Sequence, residues 1–267
     1  MQPPIVRSVL IITNGQVALY NERIELYSGL CLEGGNMQAG KAFSYMFEDE
    51  RWISKSLIGA VVNMVPILNF AWMGYLLKVL RSVESDEKLL PEWDDFGGKF
   101  MDGLKIFIAY FLYTLPATIL ITLGALLFIV PAVVQHNQDL QAILFGTVGL
   151  VFLLLCSVMT LYLVAFSILS PAIAIHYSRK GTFGSCFEMS AIFGLVKRNF
   201  GLYITAWLFA MLAGFAGGAI VSVGGMMLGW IPCIGQVAFW VFSALVSIWT
   251  SLVGFHLYGQ AGKELAI

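Results

Sequence analysis

The sequence predicts an all-α fold, a polytopic integral membrane helical bundle with about five full spans and a short N-terminal half-span. Of its 267 residues, 59% are hydrophobic and only 12% are charged, whereas soluble domains carry about 25% charged residues. Asp, Glu, Lys and Arg are absent from three long runs, 106–138, 140–178 and 199–262. About 20 apolar residues cross the hydrocarbon as a helix. Each run therefore holds at least one span, and the last holds two.

Residues 1–36 differ from the rest of the chain. They have weak β-hairpin character around Asn14-Gly15, a dipeptide typical of tight hairpin turns. We consider two interpretations, a poorly ordered N-terminal extension or a non-native one, with the natural start at Met37. In either case we expect residues 37–267 to form a single transmembrane helical domain.

The apolar pattern predicts six helices in the remaining chain. The first reaches only about 20 Å at a rise of about 1.5 Å per residue, which makes it the half-span. Prolines 116, 131 and 171 lie inside the predicted helices and are expected to kink or end them. The predicted helices are 53–65, 67–83, 103–133, 141–176, 200–228 and 232–261.

The topology depends on Pro66, in the segment "NMVPILNFAW". If 53–83 crossed the membrane once, the basic residues would be divided between its two faces. If the chain reverses at Pro66, all 15 Lys and Arg residues fall on one side. The positive-inside rule favours the second interpretation. It predicts a multi-pass protein of the cell membrane with both termini in the cytoplasm.

Two stretches, 93–113 and 186–209, each lead from a polar-apolar segment into a predicted span, and those segments predict amphipathic helices in the cytoplasmic headgroup layer. The first contains "LPEWDDFGGKFMDG". Asp94 and Asp95, with Asp102, are candidates for a cation or partner site. The alternative is a capped helix start, because carboxylates in a first turn interact favourably with the helix dipole.

Four further polar residues are candidates for function. His256 lies in the last predicted helix, and an ionisable group within a membrane segment is a functional candidate by default. Asn63, Asn69 and Gln236 flank the two proline turns. They either line a cavity or bond to carbonyls that proline leaves free.

Small residues recur at every fourth position of the fifth predicted helix. Such a stripe lets helix backbones approach closely, so we expect it to pack against a neighbouring helix. The stripe consists of Ala210, Gly214, Gly218 and Ser222.

The motifs exclude several function classes. The sequence contains no HExxH, GxSxG or phosphate-loop motif, so we expect no enzyme activity, catalytic residue, metal or cofactor. A net charge of −1 argues against a nucleic-acid partner. The expected partners are the lipid bilayer and either a membrane protein or a second copy of the chain.

The order of motifs resembles a known prokaryotic membrane family, the domain of unknown function 4013. The resemblance rests on the segment from "FSYMFEDERW" to "LLKVLRSV", then "LPEWDDFGGKFMDGLK", then the ending "IPCIG…HLYGQA". It covers about residues 41–261 and implies a compact multi-helix membrane domain without an established activity.

Two functions remain open. The first is a non-enzymatic membrane scaffold or accessory subunit, favoured by the collection of charge on one side. The second is a transporter or channel for a small or amphipathic solute, favoured by the proline-broken segments. A water-accessible cavity lined by Asn63, Asn69, Gln236 or His256 would favour transport, and a solid apolar bundle would favour the scaffold.

Overall fold

The computed structural model describes residues 10–13, 16–19, 38–87, 89–133, 138–232 and 234–265. Its body is helical, as predicted. Short 3₁₀ turns at Tyr45–Glu48 and Phe183–Phe187 precede α2 and α7. The helices are α1 Ala39–Ser44, α2 Trp52–Met64, α3 Asn69–Glu84, α4 Phe96–Leu126, α5 Ile129–Val133, α6 Gln138–Lys180, α7 Met189–Arg198, α8 Phe200–Leu228 and α9 Ile234–Leu265.

The hairpin character of the N-terminal stretch is confirmed. Strands β1 (Leu10–Thr13) and β2 (Gln16–Leu19) pair antiparallel. The turn residues Asn14 and Gly15 lie outside the described residues, as does Met37. Whether residues 1–36 belong to the native protein stays a prediction.

Among the residues that the structure describes, four helices are long and apolar enough to cross a membrane. The expected count of about five full spans is corrected to four, because the second predicted helix is α3, which has only 16 residues and a length of about 24 Å. Its apolar side chains are covered by protein, so its hydrophobicity reflects a buried core position. The four candidate spans are Phe96–Val133, Gln138–Lys180, Phe200–Leu228 and Ile234–Leu265.

The chain reverses at Pro66, which confirms the second interpretation of this segment. Helix α2 ends at Met64, and Val65 adopts an extended backbone. Helices α2 and α3 then run antiparallel, so that the ring of Trp72 lies against Gly59. Helix α2 also packs against α9.

Helix α3 is the centre of the fold, with α2, α4, α6 and α9 packed around it. Trp72, Tyr75 and Leu80 are among its buried residues. Its closest neighbour is α4, which crosses it at two glycines. A Cβ atom on Gly103 would collide with the carbonyl oxygen of Phe70, and one on Gly74 would collide with the carbonyl oxygen of Lys99.

The four long helices form two hairpins, α4–α6 and α8–α9, and of these helices α4, α6 and α9 pack against α3. Away from α3 they are largely exposed, and the most apolar stretch of α6 contains no buried residue. Leu161 of α6 and Phe215 of α8 are each 71% exposed. Each hairpin therefore presents a broad apolar surface along most of its length.

The charged residues gather at the opposite end of the helices, where α1 begins and α9 finishes. Lys263 of α9 pairs with Asp86 beyond α3 at 2.5 Å, and Arg179 of α6 pairs with Glu84 at 2.9 Å. We name this region the charged end. It brings together two connections between helices, 84–102 and 177–199, which a reversal at Pro66 places on the same side of the protein.

Only one of the two predicted amphipathic segments forms a helix of its own, α7. Helix α7 buries Ile192 and Val196, exposes Phe193 and ends in the basic pair Lys197 and Arg198. The other predicted segment, 93–113, instead supplies the first turns of the long helix α4. Those turns are held in the core by their crossing with α3, which the local pattern does not reveal.

The predicted packing stripe on α8 is displaced by about one position. Ala210 does face α9, at Gly254. Gly214 and Gly218, however, have no atom of the described chain within contact distance of a Cβ position, and Ser222 is exposed. The face that packs on α9 instead carries Ala206, Ala213 and Gly217. Several four-residue rows of small residues are adjacent on this helix, so spacing alone does not select the correct one.

Replacing Gly217 with leucine is therefore expected to separate α8 from α9. The new side chain would collide with the Thr250 side chain, and overpacking of this kind costs about 1–3 kcal/mol. The measurement is thermal unfolding of the purified protein in mild detergent. Gly218→Leu, one residue along the same helix, is the matched control and should leave the melting temperature unchanged. Equal melting temperatures for the two variants would contradict the assignment.

Candidate functional site

Asp94 and Asp95 lie immediately before α4, and both side chains bond to residues of its first turn. Asp95 is the N-cap and accepts a hydrogen bond from the Gly98 amide at 3.0 Å. Asp94 pairs with Lys99 at 2.9 Å, and the hydrogen bond from the Lys99 ammonium holds the pKa of Asp94 below its ordinary value. Both contacts fit the capped-helix interpretation.

Asp102, the third member of the predicted carboxylate site, points elsewhere. Its carboxylate accepts hydrogen bonds from Arg81 and from the Tyr177 hydroxyl, each at 2.9 Å. This network joins α3, α4 and α6. Within the described ranges, no group of three or more His, Cys, Asp or Glu side chains is arranged to hold a metal ion.

Asn63 and Asn69 face each other across the Pro66 turn. The side-chain Nδ2 atom of Asn69 donates to the backbone carbonyl oxygen of Asn63 at 3.1 Å and to the Asn63 side-chain oxygen at 3.0 Å. The pair thus bonds to a carbonyl left free where α2 ends. Gln236 is exposed near the start of α9.

A cavity of about 500 Å³ lies between α2 and α9. Asn63 is on its wall, whereas Asn69 and Gln236 are not. The rest of its lining is mainly apolar or hydroxyl-bearing: Met64, Phe239, Trp240, Ser243, Ala244 and Ser247.

A second cavity, of about 610 Å³, opens at the charged end and includes His256. We name it the His256 cavity. Its walls come from the α1 and 3₁₀ segment, from the end of α3 and from the last turns of α9. The lining residues are Gln38, Lys41, Tyr45, Glu48, Val83, Asp86, Glu87, His256, Gln260, Lys263 and Glu264.

His256 is oriented by a short chain of hydrogen bonds. The backbone amide of Gln38 donates to Gln260 Oε1 at 2.8 Å, and Gln260 Nε2 lies 3.2 Å from the Gln38 carbonyl oxygen and 3.0 Å from His256 Nδ1. Because the Gln38 amide can only donate, it fixes the side-chain orientation of Gln260. Gln260 Nε2 must then donate to His256 Nδ1. The neutral imidazole therefore carries its proton on Nε2.

The His256 cavity is mixed in charge. Two ammonium groups and four carboxylates line it. Lys263 is paired with Asp86, and Glu48 accepts a hydrogen bond from the Ser44 hydroxyl at 2.9 Å. Lys41 is exposed and forms no ion pair with any residue in the described part of the chain. The cavity therefore combines a free cation with an excess of negative charge.

A buried ion pair joins Asp49, which follows Glu48 of this cavity in the chain, to Lys55 of α2. Lys55, 6% exposed, contacts the 5% exposed carboxylate of Asp49 at 2.7 Å and Glu92 at 2.9 Å. Its ammonium also donates to the Leu90 carbonyl oxygen at 2.7 Å. Burial alone raises the pKa of Asp49, but hydrogen bonds from Lys55 and the Arg51 amide bring that pKa below its ordinary value.

Sequence reasoning missed this pair. Several charged residues crowd the segment "FEDERWISKS", and nothing in their spacing marks Asp49 and Lys55 as the buried ones. Their burial depends on the 89–93 loop, which folds back over α2. There the Trp93 indole donates to the Lys55 carbonyl oxygen at 3.0 Å and its ring stacks on Tyr75 at 4.4 Å.

The two cavities are separated by packed apolar side chains. Along α9, Ser247 lines one cavity and His256 lines the other. Between them Ile248, Leu252 and Val253 are at most 2% exposed. Polar lining therefore does not continue along α9 from one cavity to the other.

Comparison with known proteins places the chain in a family without assigning an activity. The chain is 30% identical over 134 residues to the uncharacterized protein MJ1189 of Methanocaldococcus jannaschii. That alignment covers 50% of this chain and 44% of MJ1189, so the match spans less than half of the relative. No solved structure matches the chain. The family described as "Protein of unknown function (DUF4013)" matches residues 57–230, from α2 to the turn after α8, and the chain belongs to this family.

Proposed function

We propose that this chain is a non-enzymatic scaffold or accessory subunit of the cell membrane. The observation that carries the proposal is the contrast between its two ends. The ionised side chains of the charged end are largely engaged with one another across helices, which builds a firm platform. The hairpins leave wide apolar faces for lipid or for a second membrane protein.

The orientation follows from the distribution of basic residues. All the Lys and Arg residues among those described lie at the charged end or in the turns beside it, and such residues are enriched on the cytoplasmic side. We therefore place the charged end and both termini in the cytoplasm. A cysteine at Ser85, which is exposed, should react with an impermeant reagent only in inside-out vesicles. Labelling of intact cells would overturn this orientation.

The scaffold proposal predicts a protein partner at the charged end. A photo-crosslinking residue at Phe193, which is 45% exposed on α7, should yield one dominant protein adduct in native membranes. The same probe at Leu161 of α6 is the control and should react mainly with lipid. Adducts limited to lipid at both positions would contradict a platform role for the charged end.

Transport of a small or amphipathic solute is the second candidate. It is favoured by the presence of Asn63 and His256 on the walls of cavities near opposite ends of α9. The buried residues Ile248 and Leu252 between the cavities would have to move during transport. Flux into proteoliposomes that is abolished by Asn63→Leu would establish transport and displace the scaffold proposal.

A further inference from the structure

We propose that the His256 cavity binds a phosphate ester that carries a primary ammonium group. The inference does not depend on the scaffold or transport proposals, because it rests on the cavity alone. Its volume of about 610 Å³ lies within the range of about 300–1,000 Å³ for small-molecule sites. Three separate parts of the chain contribute polar groups to it.

The first recognition element is the Nε2–H group of His256. Nδ1 is occupied by Gln260, so Nε2 is the ring atom left to donate. His256 is 8% exposed, and no hydrogen-bond acceptor for Nε2 occurs among the described residues. The Nε2–H group is therefore available to donate to an acceptor that enters the cavity.

The second element is the Lys41 ammonium group. Lys41 lines the same cavity as His256. Within the described chain it has no carboxylate partner. Lys263 is less available to bind a phosphate, because its ammonium group already donates to both carboxylate oxygens of Asp86, at 2.5 and 2.6 Å. Lys41 and the His256 N–H thus form a pair of donors suited to a phosphate oxygen.

The third element is the surplus of carboxylates. Glu87 and Glu264 line the cavity, and neither forms an ion pair with the described residues. An anion alone would be repelled by this negative charge. A ligand that carries an ammonium group beside its phosphate satisfies both signs, which is the reason for choosing this class over inorganic phosphate.

The depth of the cavity suits a lipid headgroup as well as a soluble ligand. The Trp249 indole donates to the Phe43 carbonyl oxygen, and Trp is enriched at the membrane interface. His256 is seven residues further along α9, or about 10 Å toward the charged end. Phosphatidylethanolamine and free phosphoethanolamine share the required chemistry, and the experiment distinguishes these two sources.

The test is equilibrium binding to the purified full-length chain in mild detergent. The probes are phosphatidylethanolamine, phosphatidylglycerol and soluble phosphoethanolamine. Lys41→Ala should weaken binding of the ammonium-bearing probe about tenfold or more, since a hydrogen bond to a charged group contributes about 1.5–3 kcal/mol. Glu87→Gln should weaken it as well. Lys197→Ala, at an exposed lysine outside the cavity, is the matched control.

Each outcome decides the proposal. Binding of phosphatidylethanolamine that falls with Lys41→Ala and Glu87→Gln supports a lipid source, and binding of phosphoethanolamine alone supports a soluble one. Equal binding of phosphatidylglycerol removes the ammonium requirement and overturns the proposal. So does an equal effect of Lys41→Ala and Lys197→Ala, or no binding of any probe. Nitrogen NMR of the free protein must also show the His256 proton on Nε2, and a proton on Nδ1 would overturn it.

Discussion

Replacing Gly103 with alanine is expected to destabilise the protein by about 3 kcal/mol, at the upper end of the usual cost of overpacking. The added methyl group would collide with the Phe70 carbonyl oxygen and press on the Gly74 amide. Backbone atoms of a central helix cannot swing aside as a side chain does. Helix α3 is further held at this crossing, because Gly74 lies against the Lys99 carbonyl oxygen.

Chemical unfolding in mild detergent measures this effect, and Gly97→Ala is its matched control. Gly97 is in the first turn of the same helix, and its Cβ position is open. Alanine is a better helix former than glycine by about 1 kcal/mol, so the control should be neutral or slightly stabilising. A Gly103→Ala protein as stable as Gly97→Ala would show that α3 and α4 do not cross at these glycines.

The second large effect is expected for Lys55→Met. This change leaves the Asp49 carboxylate buried without its partner, and removal of one member of a buried ion pair costs about 3–5 kcal/mol. The unfolding free energy in detergent should fall by that amount. Lys78→Met is the control, because Lys78 is exposed on α3. Surface substitutions usually change stability by no more than about 0.5 kcal/mol.

A double variant separates loss of the charge partner from loss of packing. Adding Asp49→Asn to Lys55→Met removes the uncompensated carboxylate, so the double variant should be more stable than the sum of the two single changes predicts. Additive effects would show that Asp49 and Lys55 act independently, contrary to their 2.7 Å contact.

Much of the architecture could be predicted from local patterns. Long runs without charge identify α4, α6, α8 and α9, and the proline at 66 with one-sided basic residues identifies the reversal. The pattern could not distinguish α3 from a membrane span, because burial in protein and burial in lipid select similar side chains. Trp72 and Tyr75 are covered by α2 and the 89–93 loop, contacts that hydropathy does not contain.

The candidate site was only partly predictable. His256 stands out as an ionisable residue in an apolar helix, but its partner Gln260 is oriented by Gln38, which lies 222 residues away in the chain. The assignment of its proton depends on that distant contact. The contact between Asn63 and Asn69 was easier to predict from the sequence, because these residues flank Pro66 and their side chains bridge its turn.

The central position of α3 has a consequence for the biogenesis of this protein. One side of α3 is covered by α9, whose first residue, Ile234, follows Glu84 by 150 positions. At about 5–20 residues per second, a ribosome needs roughly 8–30 s to add that stretch. During that interval the nascent α3 lacks its last neighbour, so the apolar side chains on that side of α3 stay without their native cover until α9 has been translated.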